Sequence, residues 1–471
     1  MAYLYGDRHQ MGLFPQSIEE YVPEDAPVRA YDSFVEALDL EALGIGWDEC
    51  QVGPPEYDPK AMLKLLLYGY SYGVRSSRKL EREAHYNVSF IWLLGGLKPD
   101  HKTIAEFRRR NKGALKGVLK QCAQLCLKLG LIEGNTLFID SMKIRGNASL
   151  KATWTKERCE RAVEAMDERI GELLAECERI DEAEAEHPSL VKLAEEYQNQ
   201  EVLRAKVKEI VAELEANGAK SLNTTDKECT RIHGLEGTQA GYLTELVVDE
   251  REGLIVSSDV VAENNDRNQF AGQVEKAHEV LGKKCGVACA DSGYWKTEEL
   301  EKVDQQDILV VVPSQRQVAQ RERDPFDKWQ FRYEREGDYY TCPEGKVLRC
   351  FAKTKKVRHY GLEDRRTCGK CRHFGVCTKS KRGRVVVRRV KEEVMAKLEQ
   401  QYRSSQEIYK RRQARAELPF GHIKRNLGMQ AFLLRGLEGV RAEMALVASC
   451  FNLRRMMTIK GVHQLITVLG E

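Results

Sequence analysis

Three acidic residues stand where carboxylates could hold metal ions. Asp140 follows the apolar run LFI at 137–139, Asp291 follows GVACA at 286–290, and Glu417 is the single acid in the basic segment RRQARAELPFGHIKRN at 411–426. Strand ends open onto solvent, so acids on separate elements can converge there. Three such carboxylates could bind two Mg²⁺ or Mn²⁺ ions about 4 Å apart and support in-line phosphoryl transfer. The Lys and Arg residues around Glu417 would then hold a phosphodiester.

Each acid also has an interpretation that involves no chemistry. Glu417 could form a local ion pair on a solvated helix, since runs of charge usually lie on surfaces. An aspartate after a strand is commonly a turn residue, and this applies to Asp140 and Asp291. A further acid, Asp266 in AENNDRN, is expected first as a loop cap and second as a site residue. The metal-site hypothesis therefore depends on the three acids together.

The cysteines indicate a second metal site. Cys368 and Cys371 have the two-residue gap of a zinc knuckle, within a segment at 342–377 that the sequence predicts to be irregular. Four thiolates at this spacing favour a closed, structural Zn²⁺ site. The predicted ligands are Cys342, Cys368, Cys371 and Cys377, and Cys350 or His373 could replace one of them. Unrelated free thiols are the alternative.

Composition favours a cytosolic protein with a polyanionic partner. The chain has 471 residues, 42% hydrophobic and 31% charged, and a formal net charge of +3. No apolar run approaches the roughly 20 residues that span a bilayer, and the N-terminus lacks the pattern of a secretion signal. Between Lys353 and Arg389 there are 14 Lys or Arg residues against two acids. Such a basic block suits DNA, whereas the Glu-rich region 157–215 does not.

The order of predicted elements indicates an α/β fold with a mixed sheet flanked by helices. A strand ending at Asp140 is followed by a heptad pattern typical of an antiparallel helical hairpin. The predicted elements after it are a strand hairpin at 241–249 and 253–261, a helix at about 267–281, a strand at 286–291, a helix near 297–303 and a strand at 307–314. A long closing helix is predicted from Met429 to Arg455.

These elements predict five parts. They are a helical N-terminal DNA-binding domain at 1–132, a catalytic core at 133–155 and 219–340, an inserted helical hairpin at 156–218, a basic cysteine-rich zinc insertion at 341–392, and a C-terminal helical part of the core at 393–471 that carries Glu417. In the first part, Arg108 and Arg109 belong to an arginine cluster expected to be exposed and to contact DNA. A plain helical bundle is the alternative there. Lys143, just after Asp140, is a further candidate DNA contact.

Several strings resemble the DDE-type transposases of bacterial insertion sequences. FIDSMKIRGNAS, VACADSGYW and YKRRQARAELPFGHIKRNLGMQAFLLRGLEGVRAEMAL carry the resemblance, and LLLYGYSYGVRSSRKLEREA and PDHKTIAEFRRRN are similar to the N-terminal domain of one subgroup. That subgroup has an N-terminal helical transposase domain and a Tyr-Arg-Glu-Lys signature. The resemblance covers nearly the whole chain, and its combination of motifs is specific.

The resemblance implies roles for individual residues. Asp140, Asp291 and Glu417 are similar to the three catalytic acids, and a ribonuclease H-like fold is implied. The signature residues other than the glutamate are Tyr409, Arg412 and Lys424. Four residues separate Arg412 from Glu417 here, where the family usually has three.

The implied reaction is DNA transposition in the bacterial cytoplasm at the nucleoid, by an oligomer on paired DNA ends. Such enzymes cut DNA at terminal inverted repeats and join the 3′ ends to a target, and no membrane partner is expected. Two alternatives stay open. One is a nuclease of the same fold that does not join strands, and the other is a transposase-derived DNA-binding protein without catalysis.

Overall fold

The computed structural model describes residues 17–45, 56–181, 188–218, 221–234, 237–318 and 326–470. The chain divides into two compact units. The first comprises Met1–Asp266, Gly272–Cys285 and Arg411–Glu471, and the second comprises Arg267–Ala271 and Gly286–Lys410. The five-part division predicted from the sequence stays a prediction.

The first unit begins with short helices. They are α1 (Pro27–Glu36), α2 (Pro59–Ser71), α3 (Ser77–Tyr86), α4 (Val88–Leu93), α5 (His101–Arg110) and α6 (Lys112–Lys128). Helix α2 begins at an Asp-Pro pair, where the Asp58 carboxylate accepts a hydrogen bond from the Lys60 N–H at 2.8 Å. An aspartate N-cap followed by proline at the first helical position satisfies an orphan donor and presets the helical backbone. Helix α2 is buried along most of its length.

An antiparallel sheet follows in the same unit. Its strands are β1 (Thr136–Arg145), β4 (Thr230–Gly234), β5 (Gly237–Asp249) and β6 (Ile255–Val261), and a separate pair is formed by β2 (Thr153–Trp154) and β3 (Leu222–Asn223). Strand β5 pairs with β1, β4 and β6, and the predicted hairpin of β5 and β6 is confirmed.

Strand β1 does not end at Asp140, so that prediction is wrong. It continues to Arg145, with Met142 and Ile144 buried on alternate positions. Asp140 lies opposite Leu246 of β5, within the ladder. The strand persists because the alternation of buried and exposed side chains continues past the acid, which keeps one face on the core.

Two long helices occupy the interval predicted for the hairpin. Helices α7 (Lys156–Asp181) and α8 (Pro188–Asn217) run antiparallel, since Arg204 pairs with Asp167 at 2.7 Å and Arg169 with Glu196 at 2.8 Å. Their buried core includes Cys159, Val207, Leu214 and Leu222.

Four further helices lie wholly or mostly in the first unit: α9 (Phe270–Leu281), α13 (Gln406–Arg425), α14 (Gly436–Lys460) and α15 (Val462–Gly470). The first residues of α9 and of α13 belong to the second unit. Helix α14 is nearly all buried and packs on α2, α6 and β6. It begins at Gly436 and not at Met429 as predicted, because the backbone N–H groups of Leu433 and Leu434 bond to the Glu443 carboxylate instead of continuing a helix.

The second unit contains a parallel strand pair and a separate sheet. Strands β7 (Val287–Ala290) and β8 (Leu309–Val311) are parallel, with α10 (Thr297–Asp304) between them, and α11 (Gln315–Val318) and α12 (Glu392–Ser404) complete the helices. Strands β9 (Arg332–Glu334), β10 (Tyr339–Thr341), β11 (Val347–Lys353), β12 (Val357–Gly361) and β13 (Val386–Arg389) form an antiparallel sheet. The expectation of an irregular segment at 342–377 is therefore wrong for its first half.

The predicted α/β class is confirmed, with helices, antiparallel strands and parallel strands in one chain. In the described part of the chain, no helix combines the length and apolar character needed to cross a membrane.

Candidate functional site

Asp140 joins strand β1 to helix α13. The Nη1 atom of Arg412 donates to its Oδ2 atom at 3.0 Å, and the backbone N–H of Ser141 donates to Oδ1 at 2.9 Å. The two side chains are 16% and 11% exposed, so the contact is partly desolvated. A charged hydrogen bond in such a setting orients the carboxylate more firmly than a surface pair would. Two residues named from the sequence thus meet in the first unit.

A second carboxylate lies beside this pair. The Ser141 hydroxyl donates to Oδ2 of Asp266 at 3.3 Å. Asp266, which the sequence predicts first as a loop cap and second as a site residue, lies against the residue that follows Asp140. The sequence analysis did not predict Ser141 as a site residue, and its position directly after Asp140 in FIDS was the only indication.

Glu417 is exposed on α13. Among the residues that the structure describes, its carboxylate has no hydrogen bond or ion pair, so the local ion pair of the alternative interpretation is not formed there. Lys424, also exposed, is seven residues further along. Seven residues at 3.6 per turn bring two side chains to within about 20° of each other around a helix axis. Pro419 lies between them inside the helix.

Asp291 and Tyr409 belong to the second unit. Asp291 follows β7, as predicted, and its Oδ1 atom accepts a hydrogen bond from the Gly293 N–H at 2.9 Å. It therefore caps the turn after the strand, and its other carboxylate oxygen is not used by that bond. The ring of Tyr409 contacts that of Tyr402 edge-on, with centroids 5.0 Å apart.

The candidate DNA contacts differ in exposure. Lys143 is exposed, and its Nζ atom donates to the His233 carbonyl at 2.8 Å. Arg109 is exposed and pairs with Glu106. Arg108 is only 5% exposed, so the prediction of an exposed DNA contact is wrong for it.

The burial of Arg108 has a physical cause. Its guanidinium donates to the Tyr70 hydroxyl at 3.1 Å and to the Arg75 carbonyl at 2.9 Å, and it also bonds to the Ser77 hydroxyl. These acceptors compensate the desolvation of a charge inside the helical part. Arg108 therefore stabilises the N-terminal helices.

The predicted zinc ligands of the second unit surround one cavity. A space of about 40 Å³ is lined by Cys342, Cys368, Cys371, His373 and Cys377, together with aromatic and aliphatic neighbours. The Lys346 N–H donates to Cys342 Sγ at 3.4 Å, and the Arg384 N–H donates to Cys368 Sγ at 3.5 Å. Burial raises the pKa of Cys377, Arg384 opposes this shift, and the neighbouring cysteines raise the pKa further. Cys350 is exposed on strand β11 and does not line the cavity.

Over the described ranges, no three or more His, Cys, Asp or Glu side chains are arranged as a metal-binding group. The donor types nevertheless suit metals. Carboxylate oxygens at Asp140 and Glu417 match hard cations such as Mg²⁺. Thiols that converge on one small cavity match Zn²⁺.

Residues 16–110 match the family described as Transposase domain (DUF772), and residues 341–457 match the family described as Transposase DDE domain. Both matches are to transposase families, and they confirm the resemblance to DDE-type transposases found in the sequence. The second match includes Arg412, Glu417 and Lys424.

A solved structure shows weak similarity. It is a cryo-EM structure of a piggyBac transposase synaptic complex with hairpin DNA, at 9% identity and a TM-score of 0.33, with 95% of this chain and 79% of that chain covered. A similarity of this strength carries no argument about this chain. Comparison with curated proteins gives no match.

Proposed function

We propose that the protein is the transposase of a bacterial insertion sequence, active at the nucleoid. It binds terminal inverted repeats, cuts DNA strands and joins the 3′ ends to target DNA. The observation that carries this proposal is the contact between Arg412 and Asp140. It connects a helix inside the matched Transposase DDE domain to an acid on β1 that lies far outside that match.

The proposed catalytic acids are Asp140, Asp291 and Glu417, in a ribonuclease H-like core. These carboxylates would hold two Mg²⁺ or Mn²⁺ ions, which would supply activation of the attacking oxygen and neutralisation of the departing one. Arg412 holds Asp140 in a fixed orientation. Glu417 has no competing cation among the described residues, which suits a carboxylate reserved for a metal.

The bases near these acids fit contacts with a DNA backbone. Lys424 lies along α13 from Glu417 and is exposed, so its ammonium group can reach a phosphate beside the metal ligands. Lys143 and Arg109 are exposed as well and are proposed as further phosphate contacts, with Tyr409 packing against the DNA. Phosphate contacts of this kind fix position and carry no sequence information by themselves.

The test uses purified full-length protein and labelled duplexes that contain the DNA flanking the gene. With Mg²⁺, we expect nicked and joined products, and with EDTA we expect binding without either product. Cut but unjoined products would indicate the nuclease alternative. Salt-sensitive binding with no cutting at any Mg²⁺ or Mn²⁺ concentration would indicate the catalytically silent alternative.

We further propose that Cys342, Cys368, Cys371 and Cys377 hold a structural Zn²⁺. Two of these sulfur atoms already accept backbone N–H bonds, which is how thiolates are stabilised around a metal. Bound zinc would cross-link the β9–β13 sheet to the loop that follows β12. Arg384, whose guanidinium donates to the Cys377 carbonyl at 2.9 Å, holds the same loop.

Zinc content distinguishes among the cysteines. We expect one zinc per chain by elemental analysis, lost in Cys371→Ser and retained in Cys350→Ser. The exposed Cys350 serves as the matched control because it lies in the same sheet without lining the cavity. Loss of zinc should also lower the melting temperature of the second unit, because metal binding contributes to folding free energy. Zinc lost in Cys350→Ser and kept in Cys371→Ser would contradict the proposed ligand set.

A further inference from the structure

The β9–β13 sheet has one face that packs on a core and one that faces outward. The core face carries a buried aromatic and aliphatic cluster of Phe331, Tyr340, Leu348, Tyr360 and Val386. Residues that are paired directly across strands lie on the same face of the sheet, so the register also identifies the residues of the outer face. Arg349 of β11 lies opposite Tyr339 of β10 and Gly361 of β12. His359 lies opposite Ala352 and Val387.

A bulge places an aromatic ring on this outer face. The register of β11 shifts between Cys350 and Ala352, so that Phe351 is the extra residue of the strand. Bulges redirect side chains in this way and recur at functional surfaces. The Phe351 side chain is 47% exposed, and its ring centroid lies 6.2 Å from that of His359.

Gly361 provides the space beneath the ring. A Cβ atom at this position would lie 3.1 Å from Cε1 and 3.3 Å from Cδ1 of Phe351. Those distances are tighter than ordinary contacts, so a larger residue would push the ring away from the strand. Phe351 can therefore lie over the backbone of β12.

Two arginines lie on the outer face, which also carries the acid Glu334 opposite Tyr339. Arg349 is 65% exposed, and its ion pair with Glu363 at 3.3 Å is solvated on both sides. Exposed ion pairs of this kind contribute little to stability. Arg349 can therefore leave Glu363 and bind another anion with little loss of free energy. Arg389 adjoins the same face through its pairing with Val357, within a stretch from Lys353 to Arg389 that has 14 Lys or Arg residues against two acids. The complementary partner is a polyanion.

We propose that this outer face binds single-stranded DNA, with Phe351 stacking on an unpaired base and Arg349 and Arg389 contacting phosphates. Exposed aromatic rings on a basic sheet suit strands whose bases are unpaired, since a duplex hides its base faces in its own stack. This inference rests on the proposed function, in which cutting and joining expose unpaired strands near the site. It specifies that the DNA bound by this face is single-stranded.

The test compares binding of a labelled single strand and of its duplex, without added Mg²⁺ so that no strand is cut. We expect Phe351→Ala to weaken single-strand binding roughly tenfold or more, while duplex affinity stays within about twofold. Phe351→Trp should keep wild-type affinity and add tryptophan fluorescence that the single strand quenches. Val202→Ala is the control, an exposed apolar residue on the Glu-rich helix α8.

Each contrary outcome is distinct. Single-strand binding by Phe351→Ala equal to that of the wild type would overturn the inference, as would an equal loss for single strand and duplex. A change of oligomeric state in Phe351→Ala with unchanged DNA affinity would make this face an interface between copies and overturn it too. If the wild type binds and cuts DNA in all these cases, the proposed function stands. A wild type that binds no DNA removes both.

Discussion

Glu417→Gln is expected to abolish DNA cutting and joining while leaving DNA binding intact. The substitution removes one negative charge and keeps the size of the side chain, so a metal ligand is lost without a cavity. Metal stabilisation of the transition-state charge is worth several kcal/mol, which corresponds to a rate loss of roughly 10³-fold or more. The measurement is the rate of nicked and joined product formation from the labelled duplex with Mg²⁺.

The exposed setting of Glu417 makes this variant easy to interpret. Substitutions at exposed positions usually change stability by less than about 0.5 kcal/mol, so a loss of activity would not reflect unfolding. Glu407→Gln is the matched control, because Glu407 is an exposed acid on the same helix whose side chain pairs with Lys410. If Glu417→Gln cuts at the wild-type rate, Glu417 is a surface residue and another acid must hold the metal. Asp266, beside Ser141, is then the first to substitute.

The site illustrates what local sequence predicts well. The strand that precedes Asp291, the β5–β6 hairpin and the α/β class follow from apolar runs bounded by turn residues, and all are present. The contact of Arg412 with Asp140 could not be read from the chain, because it joins positions 272 residues apart. Such contacts depend on packing of distant elements, which local patterns do not encode.

Errors arose where long-range partners changed the local outcome. Arg108 looks like a surface residue in the string FRRR, yet Tyr70, Arg75 and Ser77 provide acceptors that allow its burial. The cysteine-bearing stretch looks irregular because Gly, Pro and Cys interrupt it, yet Leu348, Tyr360 and Val386 supply a small core for a sheet. In both cases tertiary packing overrode the local composition.

The second large effect concerns a buried ion pair between the two matched domains. Glu443 on α14 is 0% exposed, and its Oε1 atom accepts from Nη1 of Arg75 at 3.0 Å. Its Oε2 atom accepts from the backbone N–H groups of Leu433 and Leu434 at 2.9 and 3.0 Å. Burial raises the pKa of Glu443, and Arg75 opposes this shift. The arginine thus favours the charged form of this buried carboxylate.

Arg75 also holds the segment between α13 and α14. It donates to the carbonyl of Ala431 at 3.0 Å and to that of Gly428 at 3.3 Å. Arg75 lies in the matched Transposase domain at 16–110, and its acceptors lie in the matched Transposase DDE domain. This network therefore ties the N-terminal helices to the end of the helix that carries Glu417.

Arg75→Met is expected to destabilise the first unit by about 3–5 kcal/mol, because it leaves a buried carboxylate without its cation. The measurement is the urea midpoint of the first unfolding transition, followed by circular dichroism. Glu443→Gln in the Arg75→Met background should recover part of the loss, since a neutral amide oxygen still accepts a backbone N–H and no unpaired charge remains.

An exposed arginine provides the comparison. Arg82→Met removes a side chain that is 68% exposed and pairs with Glu83. The free energy of unfolding should therefore change by less than about 0.5 kcal/mol. A similar small shift in Arg75→Met would show that Glu443 is stable without its partner, and that the two matched domains are not held by this pair. If Arg75→Met unfolds earlier and also slows DNA cutting at temperatures where it remains folded, the segment at 428–434 positions the catalytic helix as well as stabilising it.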